Sequence, residues 1–290
     1  MAVALGSRGV TSVALPGGAR LELSEVPLVI GIVNVTPDSF SDGGLHVRPH
    51  EAIASALRMA ADGAAIVDVG GESTRPGSER VSEDEELDRV VPVIEGIRSR
   101  SSVLISVDTM KAAVAEAAIT AGASIVNDVS ALGFDARMAD VVAKREAAVI
   151  LMHMRGEPKT MQQEIAFDDV VADVRKELAG RRELAIASGI SANAILVDPG
   201  IGFGKSFDHN LEILARAGEL RALGPVVIGA SRKAFVGHIT GRAAGPERMA
   251  GSLAAVAAAA AAGAAAVRVH DVRETVDFLR VFRAIGSAVR

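Results

Sequence analysis

Short β-branched runs recur at Val29–Val33, Ile66–Val69, Val103–Val107, Ser124–Val126, Val149–Met152, Ile195–Val197, Val226–Ile228 and Ala266–Val269, with helical patterns between them. Runs this apolar suit parallel strands buried on both faces. Helical periodicity covers Glu51–Ala61, Lys111–Ala121, Val170–Ala187 and Glu247–Ala262. A glycine (Gly63, Gly122, Gly189, Gly263) marks the approach to the next strand, and each suits a left-handed position just past a helix end. Ser82 with Glu85, ahead of LDRVVPVIEGI, predicts a capping box at a further helix start. Eight strand–helix cycles predict an α/β fold, a single (β/α)8 barrel, with an open doubly wound sheet as the competing arrangement. Before this rhythm begins, VTSVALPGGARLELSEV alternates like a hairpin. Residues 1–27 therefore read as a short N-terminal β-hairpin extension and 28–290 as the barrel.

Composition removes several function classes. The chain has no cysteine, which excludes disulfides, a thiolate nucleophile and a Cys-ligated metal, and is in keeping with a reducing cytoplasm. No secretory signal pattern is visible at the start of the sequence. The most apolar stretch, Leu253–Val267, is mostly alanine, is broken by Gly263 and falls short of the ~18–20 residues a membrane span needs. A net charge of −5 without a basic tract leaves no footprint for nucleic acid and favours a small-molecule partner.

The polar residues cluster at the carboxyl ends of the expected strands: Asn34, Gly70–Arg75, Asp108, Asn127 with Asp128, His153, Asp198, Ser231–Lys233, and Arg268 with His270. In a barrel those ends share one rim, where active sites are built. The NVTPDSFSDGG loop (34–44) is longer than a connection needs and carries Asp38, Phe40 and Asp42 before a Gly43-Gly44 hinge. DVGGESTRPGS (68–78) places Thr74, Arg75 and Pro76 on a glycine-rich loop, where a guanidinium beside hydroxyls suits an oxyanion. Asp108, Asn127 and Asp198 end three strands and supply acceptors and an amide that suit a planar heterocycle bearing N–H donors. GASRKAFVG (229–237) sets Ser231, Arg232 and Lys233 at a helix start, and Arg268 and His270 alternate on the last strand; together they favour a diphosphate or carboxylate.

Two features read as decoys. PGIGFGKS (199–206) lacks the first glycine of a phosphate-binding loop, because position 199 is proline. His153 has no second ligand at metal-binding spacing and reads as a hydrogen-bonded structural histidine.

Taken together, NVTPDSFSDGG, DVGGESTRPG, SVDT, NDVS, LMHM, DPGIGF, SRK and VRVHDV resemble the dihydropteroate synthase family of folate biosynthesis over about residues 28–285. The resemblance implies a transferase that condenses 6-hydroxymethyl-7,8-dihydropterin pyrophosphate with p-aminobenzoate, releases pyrophosphate and is a sulfonamide target. It implies Mg²⁺ on Asn34, with Asn34, Arg75, Arg268 and His270 on the diphosphate. The pterin would be held by Asp108, Asn127, Asp198 and Lys233, with Met152, Phe203 and Gly229 as walls. Phe40, Thr74, Pro76 and Ser231 would hold p-aminobenzoate, and Asp38, Asp42, Arg75 and Lys233 would serve catalysis. A homodimer in the cytoplasm is also implied, and the alanine-rich stretch near 246–262 offers a flat packing face. One departure is Ala234, where relatives often carry a serine or a basic residue. The competing functions are a pterin-dependent methyltransferase, which would not need the first two loops, and a pterin-binding homologue without synthase activity.

Overall fold

The computed structural model describes residues 11–36, 49–74, 77–156, 161 and 165–288. A small antiparallel hairpin, β1 (Ser12–Ala14) and β2 (Arg20–Glu22), comes first and turns through Pro16–Gly18, where Gly17 and Gly18 take φ of 68° and 77°. The barrel strands follow: β3 (Leu28–Asn34), β4 (Ile66–Gly70), β5 (Leu104–Asp108), β6 (Ile125–Asp128), β7 (Ala148–Met152), β8 (Ile195–Asp198), β9 (Val227–Ile228) and β10 (Ala266–Val269). All neighbouring pairs are parallel, in the order β8-β7-β6-β5-β4-β3-β10-β9. The ring closes through a parallel bridge between Val197 and Val226, supported by the Val197 N–H on the Pro225 carbonyl at 3.0 Å. This closure rules out the open doubly wound sheet.

The helices among the described residues are α1 (Pro49–Ala61), α2 (Glu83–Arg98), α3 (Ala112–Ala121), α4 (Met138–Lys144), α5 (Val170–Ala187), α6 (Phe207–Arg216), α7 (Ala234–Thr240), α8 (Met249–Ala261) and α9 (Val272–Ser287). Gly63, Gly122, Gly189 and Gly263 all have positive φ, 78° to 120°, as the sequence predicts. Ser82 caps α2 by accepting the Glu85 N–H, but the Glu85 side chain pairs with Arg89. The reciprocal box instead forms at α6 between Ser206 and His209.

One apolar cluster fills the interior and the strand–helix layer, and Val13, Leu15 and Leu21 of the hairpin region belong to it. The alanine-rich α8 buries Ser252, Ala255, Val256, Ala259 and Ala260, so its small side chains serve close packing within the fold and do not make the whole helix a free flat face. No helix among the described residues is long and apolar enough to cross a membrane.

Candidate active site

Parallel register delivers the polar residues to one end of the barrel. Asn34 lies opposite Gly70, Asp108 beside Asn127, and Met152 beside Asp198. Side chains two residues apart on a strand share a face, so Asp68 enters the same interior as Asp108 from the adjacent strand.

An arginine sits at the centre. Arg268 Nε donates to Asp68 Oδ2 at 2.6 Å, and Arg268 Nη2 donates to Asp108 Oδ2 at 2.6 Å. Asn127 Nδ2 donates to the same Asp68 oxygen at 3.0 Å. Burial pushes the Asp108 carboxyl upward, and the Arg268 charge pulls it back. Two buried carboxylates this close remain compatible only because the guanidinium holds both. Asp68 was not legible as a site residue, although a lone carboxylate inside the run AIVDVGG has to find a partner once the strand is buried.

Asp198 ends β8 and accepts the Gly200 N–H at 2.7 Å. Burial raises its carboxyl to about 6, against the opposing pull of that N–H and of Lys233 and Arg268. Gly229 lies between Asp198 and Arg268: a Cβ there would stand 3.7 Å from Asp198 Oδ2 and 3.9 Å from Arg268 Cβ. Lys233 caps α7 and places Nζ 4.3 Å from the centre of the Phe203 ring. Met110, Val129 and Met152, with Met154 and Phe203 packed on them, form a separate apolar cluster beside these groups. Its thioethers suit the face of a flat heterocycle. The sequence reading contained Met152 and Phe203 of this wall and missed Met110, Val129 and Met154.

The opposite side of the rim is basic and hydroxylic. Ser231 Oγ accepts the His270 backbone N–H at 3.2 Å and stands 3.0 Å from His270 Nδ1, which ties the hydroxyl to both the backbone and the ring of His270. Arg232, grouped with these residues from the sequence, turns away: φ of 57° carries its guanidinium to Asp271. Asp128 likewise serves the backbone, accepting Ser130 N–H, Ser130 Oγ–H and Leu132 N–H. Thr74 is half-buried at the mouth of the second loop. Lys111 fixes the start of that loop by bridging Glu72 and the buried Glu86. Asp38, Phe40, Asp42, Arg75 and Pro76 lie outside the described residues.

Behind Asp198 lies a buried lysine. Lys205 is 2% exposed and donates to the Phe203 carbonyl at 2.9 Å, His153 Nδ1 at 3.0 Å and the His153 carbonyl at 3.3 Å. His153 Nε2 donates to Glu177 at 2.9 Å, so the ring is the structural histidine expected. The turn can approach that closely only with glycine at 200, where φ is 69° and a Cβ would meet the His153 carbonyl at 1.9 Å.

Among the described residues no group of three His, Cys, Asp or Glu forms a metal cage. Half-buried Asn34 offers an amide oxygen at the rim. One neutral oxygen fits an ion such as Mg²⁺, which keeps several waters and binds through substrate phosphates.

The pterin binding enzyme family matches residues 30–270. Dihydropteroate synthase of Escherichia coli (strain K12) is 46% identical over 273 residues, covering 93% of this chain and 95% of that protein. The Bacillus subtilis (strain 168) enzyme of the same name is 42% identical over 268 residues, covering 92% and 91%. Among solved structures, Xanthomonas albilineans dihydropteroate synthase with 4-aminobenzoic acid superposes with a TM-score of 0.88 at 46% identity, covering 95% of this chain and 98% of that one. A structure of the Xanthomonas albilineans enzyme in complex with 7,8-dihydropteroate gives 0.84 at 44% identity, covering 94% and 98%. With the barrel, the acceptor set and the basic rim in one place, this chain belongs to the dihydropteroate synthase family of pterin binding enzymes.

Proposed function

We propose that the protein condenses 6-hydroxymethyl-7,8-dihydropterin pyrophosphate with p-aminobenzoate, giving 7,8-dihydropteroate and pyrophosphate. The observation that carries this reading is the convergence of Asp108, Asn127 and Asp198 with Lys233 and Arg268 at one end of the barrel. The relatives' ligands, 4-aminobenzoic acid and 7,8-dihydropteroate, support it.

The carboxylates and the Asn127 amide accept the N–H groups of the pterin edge, and the Met152–Phe203 wall covers its face. Arg268, His270 and Arg75 receive the diphosphate, while Ser231 and Thr74 share in holding the second substrate. Asn34 would hold Mg²⁺, which supplies charge neutralisation on the diphosphate when bound. Breaking the CH₂–O bond sends the electron pair to the leaving diphosphate and leaves a cation delocalised into the pterin. The aromatic amine then forms the C–N bond and releases a proton to solvent. Stabilising separated charge is the main demand, which the paired carboxylates and guanidinium meet without a strong base. Asp38, Phe40, Asp42 and Pro76 complete this proposal as loop contacts.

A homodimer in the cytoplasm completes the reading; sedimentation of the purified protein at twice the chain mass checks the dimer. The reaction is tested by incubating the protein with dihydropterin pyrophosphate, p-aminobenzoate and Mg²⁺. Dihydropteroate and pyrophosphate should appear in equal amounts, and pterin binding without turnover would reduce the protein to a binding homologue.

A further inference from the structure

The second loop leaves β4 at Gly71, and its base is fixed by charges that the reaction above does not use. Arg89 Nη1 donates to the Gly71 carbonyl at 2.6 Å. A Cβ at Gly71 would meet Val90 Cγ1 at 2.8 Å and Glu86 Cγ at 3.0 Å, so the chain lies flush against α2. Glu72 comes next. Its Oε2 accepts from Lys111 Nζ and also from the Val81 N–H at 3.3 Å, which ties the start of the loop to its end. The same ammonium donates to Glu86 Oε2 on α2. Lys111 itself belongs to the exit of β5: its N–H donates to Thr109 Oγ1 at 3.1 Å, and the Thr109 N–H donates to the Asn127 carbonyl at 3.2 Å. Burial pushes the Glu86 carboxyl up, while hydrogen bonds from Lys111 and Thr109 draw it back. A hydrogen-bonded path thus runs from the strand ends that carry Asp108 and Asn127 to the segment that carries Thr74.

We propose that Lys111, with Glu72 and Glu86, is a positioning residue that sets the second-substrate loop in register with the pterin-binding strands; this rests on the synthase reading above. The β4–β5 ladder ends at the pair Gly70 and Asp108, so beyond it the placement of one segment against the other depends on side chains. Lys111 continues the link where the ladder stops. A buried ion pair contributes little net stability, because desolvation offsets its attraction, but it holds its groups in one geometry. An ammonium has three donors and can bridge carboxylates from two segments. Geometry is what the reaction demands, since the aromatic amine must reach one carbon of the bound pterin. A displacement of about 1 Å from the reacting position can lower the rate about a hundredfold.

The test separates the two substrates. Lys111→Met should lower kcat/KM for p-aminobenzoate by about ten- to a hundredfold. Its affinity for 6-hydroxymethyl-7,8-dihydropterin, titrated by pterin fluorescence, should match the parent. Lys111→Arg, whose fork also reaches two carboxylates, should recover most of the loss. Glu72→Gln keeps an acceptor for the Val81 N–H but gives up the charge, and should show the same pattern more weakly. Ile97→Ala opens a cavity under the last turn of α2, away from the loop base; it should lower Tm and leave both substrates unaffected. A Lys111→Met protein that loses stability as Ile97→Ala does, with p-aminobenzoate kinetics intact, overturns the proposal. So does one that weakens pterin binding as much as it impairs p-aminobenzoate use. If Lys111→Met does not fold, Glu72→Gln decides, and unchanged p-aminobenzoate kinetics there refute the assignment. A parent that binds the pterin without forming dihydropteroate would instead remove the synthase reading itself.

Discussion

Asp198 meets two opposing demands, because its carboxyl must lie deep enough to read a ring edge and must be ionised to accept from it. Burial raises it to about 6 from 3.8 in the unfolded chain. The folded state therefore binds its proton more tightly between those values, and the empty fold loses this source of stability as the pH rises from 3.8 through about 6. A ligand bearing N–H donors favours the ionised form, so its affinity changes with pH in the opposite sense. Pterin affinity should be constant near pH 8 and weaken below about pH 6, approaching a factor of ten per pH unit. Asp198→Asn should bind more weakly and lose the part of this dependence centred near pH 6, keeping the part contributed by Asp108, which burial raises to about 7. Fluorescence titration measures both, with little background from a chain that has neither Trp nor Tyr. A parent profile that stays flat down to about pH 5 would mean that Asp198 is only the cap of the Gly200 turn.

At the scale of elements, the turns after β7 and β8 act as one body because Lys205 donates into both. These turns position Met154 and Phe203, so the apolar wall depends on a residue that never faces the ligand. Lys205→Met leaves the carbonyls of His153 and Phe203 buried without that donor and should destabilise the protein by about 2 kcal/mol. The effect has a pH signature. Burial lowers the Lys205 amine to about 7 from 10.5, so between those values the unfolded chain binds more protons and the parent gains stability with rising pH, by up to ~1.4 kcal/mol per unit. Urea midpoints at about pH 7 and about pH 9 should therefore diverge between parent and variant; parallel curves would show that the amine is not desolvated. Lys205 was hidden in the sequence because it falls within a phosphate-loop decoy, and nothing local separates a buried lysine from an exposed one. The strands and the glycine caps were legible because apolar runs and positive-φ positions are local properties. The charges of Asp108 and Asp198 were legible as strand-end residues, yet their coupling to Arg268 depends on strands far apart in the chain. That also explains why Asp68, with Arg268 as its partner across 200 residues, escaped notice.

The whole molecule divides its work between the two ends of the barrel. Site residues occupy the carboxyl ends of the strands, whereas the hairpin packs against the Ala192–Ala194 turn that leads into β8 at the other end. In a barrel the first end carries chemistry and the second carries stability. Leu21 tests that division, since it is buried in the main core cluster from β2 and none of the proposed ligand contacts lies on the hairpin. Leu21→Ala removes apolar volume at a position 8% exposed, near the edge of the core, where partial collapse moderates the loss. A destabilisation of about 2–3 kcal/mol follows, at the lower end of buried Leu→Ala changes. In a chain of 290 residues that lowers Tm by roughly 3–5 °C. Below the unfolding range, KM for both substrates and kcat should match the parent, because the ring of strands transmits no rearrangement from a side chain that can relax toward solvent. Calorimetry and steady-state kinetics on the same preparation measure both quantities. A raised KM for the pterin with an unchanged Tm would show that the hairpin tunes the site across the barrel and that the two ends are not independent.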